Sequence, residues 1–298
     1  MPRHFYTLDV FTKTALAGNP LAVVLDSEGL DDYAMQNIAR EFNLSETVFV
    51  FPPQDESNRA ALRIFTPASE LPFAGHPTVG TAILLALLDG ESNANFRLEE
   101  KIGLVECAIA NAAQRVGEAI FTLPRLPERI GIATEASLMA KALGVTQGDI
   151  GFDRHKPILA SAGVAFTLVP LRTKGAVTNA SINTMHWSDA FGVAGRPNAF
   201  VYTRETVDPS HQFHARMFAP HLGIGEDPAT GSAVAAFARA VVDFEQLVDG
   251  EHRFVIEQGY AMGRPSQIVL EMDVRDGALI AARIGGAAVV ISEGRLHL

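Results

Sequence analysis

A single cysteine, Cys107, stands in 298 residues. No internal disulfide can form, and the count fits a reducing compartment. Its setting, Leu104-Val105-Glu106-Cys107-Ala108-Ile109, reads as a strand; a buried inert thiol is the simplest role there, a nucleophile the other. Basic residues are also scarce, 24 Lys and Arg against 34 Asp and Glu, giving a net charge of −10. With no Lys/Arg run to offset it, that balance argues against nucleic acid as a partner. No apolar run reaches membrane-spanning length, the longest being Ala82 to Leu88. The start, Met1-Pro2-Arg3-His4-Phe5, lacks the basic-then-apolar layout of a signal peptide, so a cytoplasmic protein with no membrane partner is expected. Without that signal, Asn43-Leu44-Ser45 carries no weight as a glycosylation acceptor.

Several chemistries lack their motifs. There is no Walker glycine loop, no HExxH, no paired CxxC and no GxSxG. Gly223-Ile224-Gly225 begins a dinucleotide fingerprint, but Pro228 stands where its last glycine belongs. His211, His214 and His221 have no acidic or thiol cluster beside them in sequence, so surface histidines are expected rather than a metal site. Gly18-Asn19-Pro20 reads as a tight turn between strands.

What is present is an internal echo. Arg63-Ile64-Phe65-Thr66-Pro67 returns as Arg216-Met217-Phe218-Ala219-Pro220. After a short loop, His76-Pro77-Thr78-Val79-Gly80-Thr81-Ala82 is answered by Asp227-Pro228-Ala229-Thr230-Gly231-Ser232-Ala233. An apolar helix follows each time, then a Glu near a turn glycine: Glu99 before Gly103, Glu257 before Gly259. The shared order implies two similar lobes. The boundary falls in Leu123-Pro124-Arg125-Leu126-Pro127-Glu128, whose prolines suit a linker. The first lobe is expected over residues 1–126, the final C-terminal strand being free to pack back onto it, and the second over 127–298. Short β-branched or aromatic runs, among them Thr47 to Phe51, Ala60 to Phe65 and Ile268 to Met272, predict strands. Helices are predicted only over Asp31 to Phe42, Pro77 to Leu88, Glu135 to Leu143 and Pro228 to Val242. Many strands and few helices predict an α+β fold of two pseudo-symmetric lobes.

Proline at the first helical position makes His76 and Asp227 the expected caps. The residues behind them, Ala82 to Leu88 and Ala233 to Ala238, are apolar all round. Each helix should therefore be buried, most simply inside its own lobe's curved mixed sheet, with only its N-terminal end reaching a ligand. Such ends offer free N–H groups and partial positive charge, so the backbone near Gly75-His76 or Gly231-Ser232 suits a small carboxylate in a cleft shared by the lobes. The plainer role for His76 and Asp227 is capping alone. A proton carrier is also needed. Glu46 leads into Val48-Phe49-Val50-Phe51, in phase with Leu44, Val48 and Val50. A carboxylate drawn into such surroundings gains a raised pKa and can act as a general acid/base; a solvated strand-end residue is the equal alternative.

At these residues the chain resembles the PhzF-like family of phenazine biosynthesis. Further matching stretches are Asp9-Val10-Phe11, Gly18-Asn19-Pro20, Asn43-Leu44-Ser45-Glu46-Thr47, Val169-Pro170-Leu171 and Gln258-Gly259 through Met262-Gly263-Arg264-Pro265-Ser266. The resemblance implies a diaminopimelate-epimerase-like fold with a central helix in each lobe, a homodimer, and no cofactor. It implies that Glu46 shuttles a proton and that His76, Asp227 and Ser232 are the other polar catalytic positions. In the phenazine enzyme that set isomerises trans-2,3-dihydro-3-hydroxyanthranilate. Related racemases carry cysteines at the two helix starts; His76 and Asp227 stand there in this chain, against thiol chemistry. The expected activity is thus a cofactor-free isomerase or epimerase of a small carboxylate. The alternative is a non-catalytic small-molecule-binding or interaction protein on the same scaffold. Asn179 through Trp187 matches no family motif.

Overall fold

The computed structural model describes residues 2–192, 195 and 197–298; Met1 of the N-terminal run lies outside them. The chain divides into two compact units, Met1–Thr122 with Gly285–Leu298, and Leu123–Ile284. The division thus falls at Leu123, slightly before the expected boundary at residue 126, and the residues from Gly285 onward belong to the first unit.

The first unit holds β1 (Arg3–Val10), β2 (Asn19–Val24), α1 (Asp32–Phe42), β3 (Glu46–Phe51), β4 (Ala60–Phe65), β5 (Glu70–Leu71), α2 (Gly75–Asp89), β6 (Ala94–Glu100), β7 (Gly103–Ala113) and β8 (Val116–Thr122). Its sheet is mixed. β1 runs antiparallel to β2, β2 parallel to β3, β3 antiparallel to β4, and β4 parallel to β6. β6, β7 and β8 then form an antiparallel meander. α1 starts as the sequence predicts: the Asp31 carboxylate accepts the Ala34 N–H at 2.8 Å.

α2 organises this unit. Every residue from Gly75 to Ala86 is buried, and the helix packs on β1, β2, β3, β7 and β8. A helix with no polar face cannot lie at a surface, so strands must cover it on several sides. Gly80 permits the closest approach, because a Cβ there would lie 2.7 Å from both Leu21 Cδ2 and Val10 Cγ2.

The second unit holds β9 (Glu128–Gly131), α3 (Ala136–Leu143), β10 (Ile158–Ser161), β11 (Ala165–Pro170), α4 (Lys174–Asn179), α5 (Thr184–Phe191), β12 (Ala199–Thr203), β13 (Phe213–Ala219), β14 (Ile224–Asp227), α6 (Gly231–Phe244), β15 (Gly250–Gln258) and β16 (Ser266–Arg275). The last strand, β17 (Ala278–Leu296), begins here and passes at Gly285 into the first unit. There it pairs with β1 from Leu296 opposite Arg3 to Ala288 opposite Val10. α6 packs on β9, β10, β11 and β16 but is less enclosed than its apolar start suggests. Arg239 and Asp243, about a quarter exposed, form an i,i+4 ion pair along one side. A stripe of α6 therefore meets solvent.

The unplaced stretch 179–187 builds core. It joins α4 to α5, and Trp187, only 3% exposed, packs with Met139, Leu143, Phe191 and Phe218. Its indole N–H donates to the Pro197 carbonyl at 2.7 Å.

The echoed residues make echoed contacts. Arg63 on β4 donates from Nε to Glu70 at 2.8 Å, and Arg216 on β13 donates from Nε to Glu226 at 2.8 Å. Glu99 at the end of β6 accepts the N–H groups of Gln54 and Asp55; Glu257 at the end of β15 accepts those of Val207 and Asp208. No described helix is long and apolar enough to cross a membrane.

If enclosure of α2 holds the first unit together, Leu84→Ala should lower stability by about 2–5 kcal/mol in denaturant unfolding. Leu88→Ala, at a position 45% exposed on the same helix, should cost well under half as much. Equal losses at the two sites would contradict this packing.

Candidate active site

β2 and β3 pair in parallel with Leu21 opposite Glu46, so Glu46 opens β3 beside the start of β2. Its neighbours Thr47, Val48 and Phe49 are fully buried, and its own side chain keeps only 14% exposure. His76 lies in the first turn of α2, its side chain 6% exposed, with Nε2 3.2 Å from Glu46 Oε2. On the other ring edge, Asn19 Nδ2 lies 3.4 Å from His76 Nδ1. The structure thus brings Glu46 and His76 into contact and adds Asn19, which the sequence reading treated as part of a turn. Gly18 fixes that turn. It has φ +67°, and a Cβ there would sit 2.4 Å from the Val10 carbonyl oxygen, so only glycine fits.

Burial drives His76 down to about 3, with the Pro20 carbonyl pulling the other way. An ionised Glu46 acts in the same sense as Pro20. The α2 N-terminus opposes a positive imidazole. The ring is therefore neutral at ordinary pH, able to donate from one nitrogen and accept at the other.

His76 is not the cap that Pro77 suggests. α2 begins at Gly75 with Ala74 as its N-cap, and no side chain caps it. His76 is consequently free of capping duty and faces Glu46. Asp227 is likewise not a cap: α6 begins at Gly231, four residues later, with Thr230 at the N-cap position. The echoed prolines thus differ in setting, Pro77 within the first turn of a helix and Pro228 in the connection before one.

A side chain from β15 holds that connection. Buried Gln258 donates to the Asp227 carbonyl at 2.8 Å and accepts the Thr230 N–H at 3.1 Å, while the Thr230 hydroxyl donates to the Asp227 carboxylate. With Gln258 supplying these bonds, the backbone needs no helical turn there. Gly259 follows with φ +80°, and a Cβ would lie 2.5 Å from the Pro228 carbonyl oxygen. Asp227 is 7% exposed. Ser232, at the second residue of α6, is part-exposed. Gly75 and Gly231 are the first residues of their helices, placing the N–H groups of Gly75-His76 and Gly231-Ser232 among those without intrahelical acceptors. The sequence signal for Gln258 was its place after the echoed Glu257.

The histidines need correction. His214 is buried rather than at the surface, and both His211 and His214 donate from Nδ1 to Glu257 at 2.8 Å. With two backbone N–H groups as well, these bonds hold Glu257 down at about 2, against its burial. No group of three or more His, Cys, Asp or Glu side chains among the described residues is placed to hold a metal ion. Cys107 is buried, which pushes its thiol well above the usual range, so the inert reading of that residue holds.

Fold and site together define an α+β protein with a mixed sheet and a withdrawn carboxylate–imidazole pair. A model of the phenazine biosynthesis-like proteins matches residues 8–294, and the chain belongs to that family. It is 48% identical to an uncharacterized isomerase of Mesorhizobium japonicum, over 99% of each chain. It is 32% identical to the trans-2,3-dihydro-3-hydroxyanthranilate isomerase of Pseudomonas aeruginosa, again over 99% of each. Among solved structures, the PhzF-family phenazine biosynthesis protein of Bacillus anthracis matches with a TM-score of 0.89 at 25% identity, covering both chains completely. A hydroxyproline epimerase of Agrobacterium vitis shares the fold, with a TM-score of 0.67 at 13% identity, covering 100% of this chain and 93% of its own.

The neutral imidazole has a measurable consequence. Stabilisation from a depressed histidine is fully present above 6.5 and is lost as pH falls through about 3. In imidazole NMR, His76 should titrate with a midpoint well below 6.5, the ordinary value for the side chain. A His76 midpoint at or above 6.5 would contradict the burial assigned to it.

Proposed function

We propose that the protein is a cofactor-independent isomerase or epimerase that moves a proton within a small carboxylate-bearing metabolite, with Glu46 as the acid/base. The contact between Glu46 and His76 carries this reading: a carboxylate withdrawn from solvent, 3.2 Å from an imidazole that burial keeps neutral. The isomerase names of the relatives support the reaction class. In the proposed step the Glu46 carboxylate removes a proton from a carbon flanked by an unsaturated or carboxylate-bearing system. The C–H electrons move into that system. The Glu46 acid then returns the proton to another carbon, or to the opposite face of the first, restoring the carboxylate.

His76 assists without fixed charge, by donating to Glu46 or orienting the substrate, and Asn19 holds its ring from behind. In the second unit we assign Asp227 and Ser232 as further polar catalytic groups. Backbone N–H groups of Gly75-His76 and Gly231-Ser232 are the proposed donors to the substrate carboxylate. Asp227 repels that carboxylate if ionised, which leaves the amides and the Ser232 hydroxyl as the binding groups. The repeated Arg–Glu and Glu–amide contacts support a pseudo-symmetric origin of the two units, each built on its own helix, as the diaminopimelate-epimerase-like reading requires. The substrate resembles trans-2,3-dihydro-3-hydroxyanthranilate in class, an unsaturated cyclic carboxylate.

With such a substrate in deuterated water, the wild-type protein should place solvent deuterium on carbon. Glu46→Gln should lower turnover by ~10²–10⁴-fold or more while leaving melting temperature and ligand affinity nearly unchanged. His76→Asn should be slower yet partly active, since only orientation or relay is lost. Near-wild-type turnover by Glu46→Gln would make Glu46 a structural residue. Tight carboxylate binding with no exchange by the wild type would favour a binding protein on this scaffold.

A further inference from the structure

A second buried glutamate sits behind the His76 turn and plays no part in the scheme above. Glu100 ends β6 in phase with Leu98, facing inward, and is 8% exposed. Its Oε1 lies 2.7 Å from the Thr78 hydroxyl, two residues beyond His76. The same hydroxyl lies 2.8 Å from the Ala74 carbonyl, the N-cap residue of α2.

These distances impose a proton count. A threonine hydroxyl carries one proton. The Ala74 carbonyl can only accept, and an ionised Glu100 could only accept as well, so the one hydroxyl proton would have to serve two acceptors. A protonated Glu100 removes that shortage by donating to the hydroxyl oxygen, which leaves the hydroxyl proton to the Ala74 carbonyl. Glu100 Oε2 has no hydrogen-bond partner among the described residues, a position tolerable for a neutral acid and costly for a carboxylate. Burial accordingly pushes Glu100 up to about 8, against the opposing pull of Thr78. Arg63, Glu70, Glu99 and Lys101 line the same cavity as Glu100, with Arg63 held by Glu70 and Asp32. Its chain neighbours are engaged elsewhere, Glu99 with the Gln54–Asp55 amides and Lys101 with Glu70. Cys107 of β7 is its titratable neighbour, and α2 presents only Thr78.

The internal repeat supplies an independent comparison. Glu99 and Glu257 do the same work in the two units, each binding two loop N–H groups from a strand end. The residue after each is Glu100 in one and Gln258 in the other. Gln258 bonds Thr230 and the Asp227 carbonyl at the start of α6; Glu100 bonds Thr78 at the start of α2. A side chain that is always neutral thus stands where the first unit carries Glu100.

We propose that Glu100 is a positioning residue that works as a neutral acid, donating to Thr78 and so fixing the first turn of α2 that presents His76 to Glu46. Once ionised it can only accept, and it then competes with the Ala74 carbonyl for the Thr78 hydroxyl hydrogen bond, loosening that turn. The role rests on the reading of Glu46 and His76 as the proton-transfer pair, but its test needs no substrate.

The sign is set by a raised carboxyl. Stabilisation by the neutral form is fully present below 4.5 and is lost as pH rises through about 8. In protein carrying carbon-13 at the glutamate carboxyls, one resonance should titrate near 8 and vanish in Glu100→Gln. The His76 ring signals of the wild type should shift with the same midpoint. In Glu100→Gln they should keep their neutral-pH wild-type positions throughout, and its melting temperature should lose the wild-type decline on the alkaline side. If Glu100→Gln fails to fold, the wild-type carboxyl titration decides alone. A complete set of glutamate carboxyls titrating below 6 would overturn the proposal, as would His76 signals indifferent to the Glu100 midpoint. Because these readouts follow a proton on Glu100 rather than turnover, a failed exchange assay with Glu46 variants would leave them standing.

Discussion

A helix without a polar face has one way to survive in water, which is to be covered. From Gly75 to Ala86 no side of α2 is exposed, and strands β1, β2, β3, β7 and β8 supply the cover. The strands around it form a mixed sheet, parallel at β2–β3 and β4–β6 and antiparallel at β1–β2 and β3–β4. The need for cover accounts for Gly80, where any side chain would force Val10 and Leu21 away. Apart from Asp89 at its exposed far end, which pairs with Arg59, the helix meets its described polar side-chain partners at its first turn. Imidazole, carboxylate and amide side chains meet there because the enclosing sheet leaves them that end, and burial keeps the imidazole neutral.

Polar groups at both helix starts are held in a common manner. Gln258 reaches from a strand end to bond Asp227 and Thr230; Glu100 reaches from the corresponding strand end to Thr78. Next to them, Glu99 and Glu257 tie loop amides. The units diverge in how far the helix extends. The Asp227–Thr230 connection stays non-helical because Gln258 satisfies its backbone, whereas the Ala74–Thr78 segment closes a helical turn through Thr78 N–H to Ala74. Neutrality on one side and ionisation on the other follow from the number of donors. Glu257 accepts from two amides and two imidazoles and is held at about 2, while burial pushes Glu100, bonded to Thr78 alone among the described residues, up to about 8.

Much of this was readable from residue order. The echo between residues 63–82 and 216–233 marks the duplication, and the apolar run behind Pro77 marks the enclosed helix. The phase of Glu46 with Val48 and Val50 marks its inward direction. Helix starts were misplaced because proline at the first helical position is a statistical preference, and side chains distant in sequence decided the outcome. Gln258 lies 27 residues beyond Gly231, so no local pattern around Asp227 could reveal it. α4 and α5 were missed because both are short, and their apolar residues join a core assembled with α3 and β13. Asn19 and Glu100 escaped notice for the same reason. A turn residue and a strand-end glutamate have solvated roles by default, and only the fold turns them toward α2.

The central claim is that Glu46, beside a neutral His76, exchanges a proton with substrate carbon. A crystal structure with an unsaturated cyclic carboxylate bound tests it most directly. The account predicts a ring C–H carbon at about 3–3.5 Å from the Glu46 carboxylate, the contact distance for proton abstraction, and the ligand carboxylate on backbone amides at a helix start. A ligand that turns only a hydroxyl or its own carboxylate toward Glu46, with every carbon beyond reach, would contradict it.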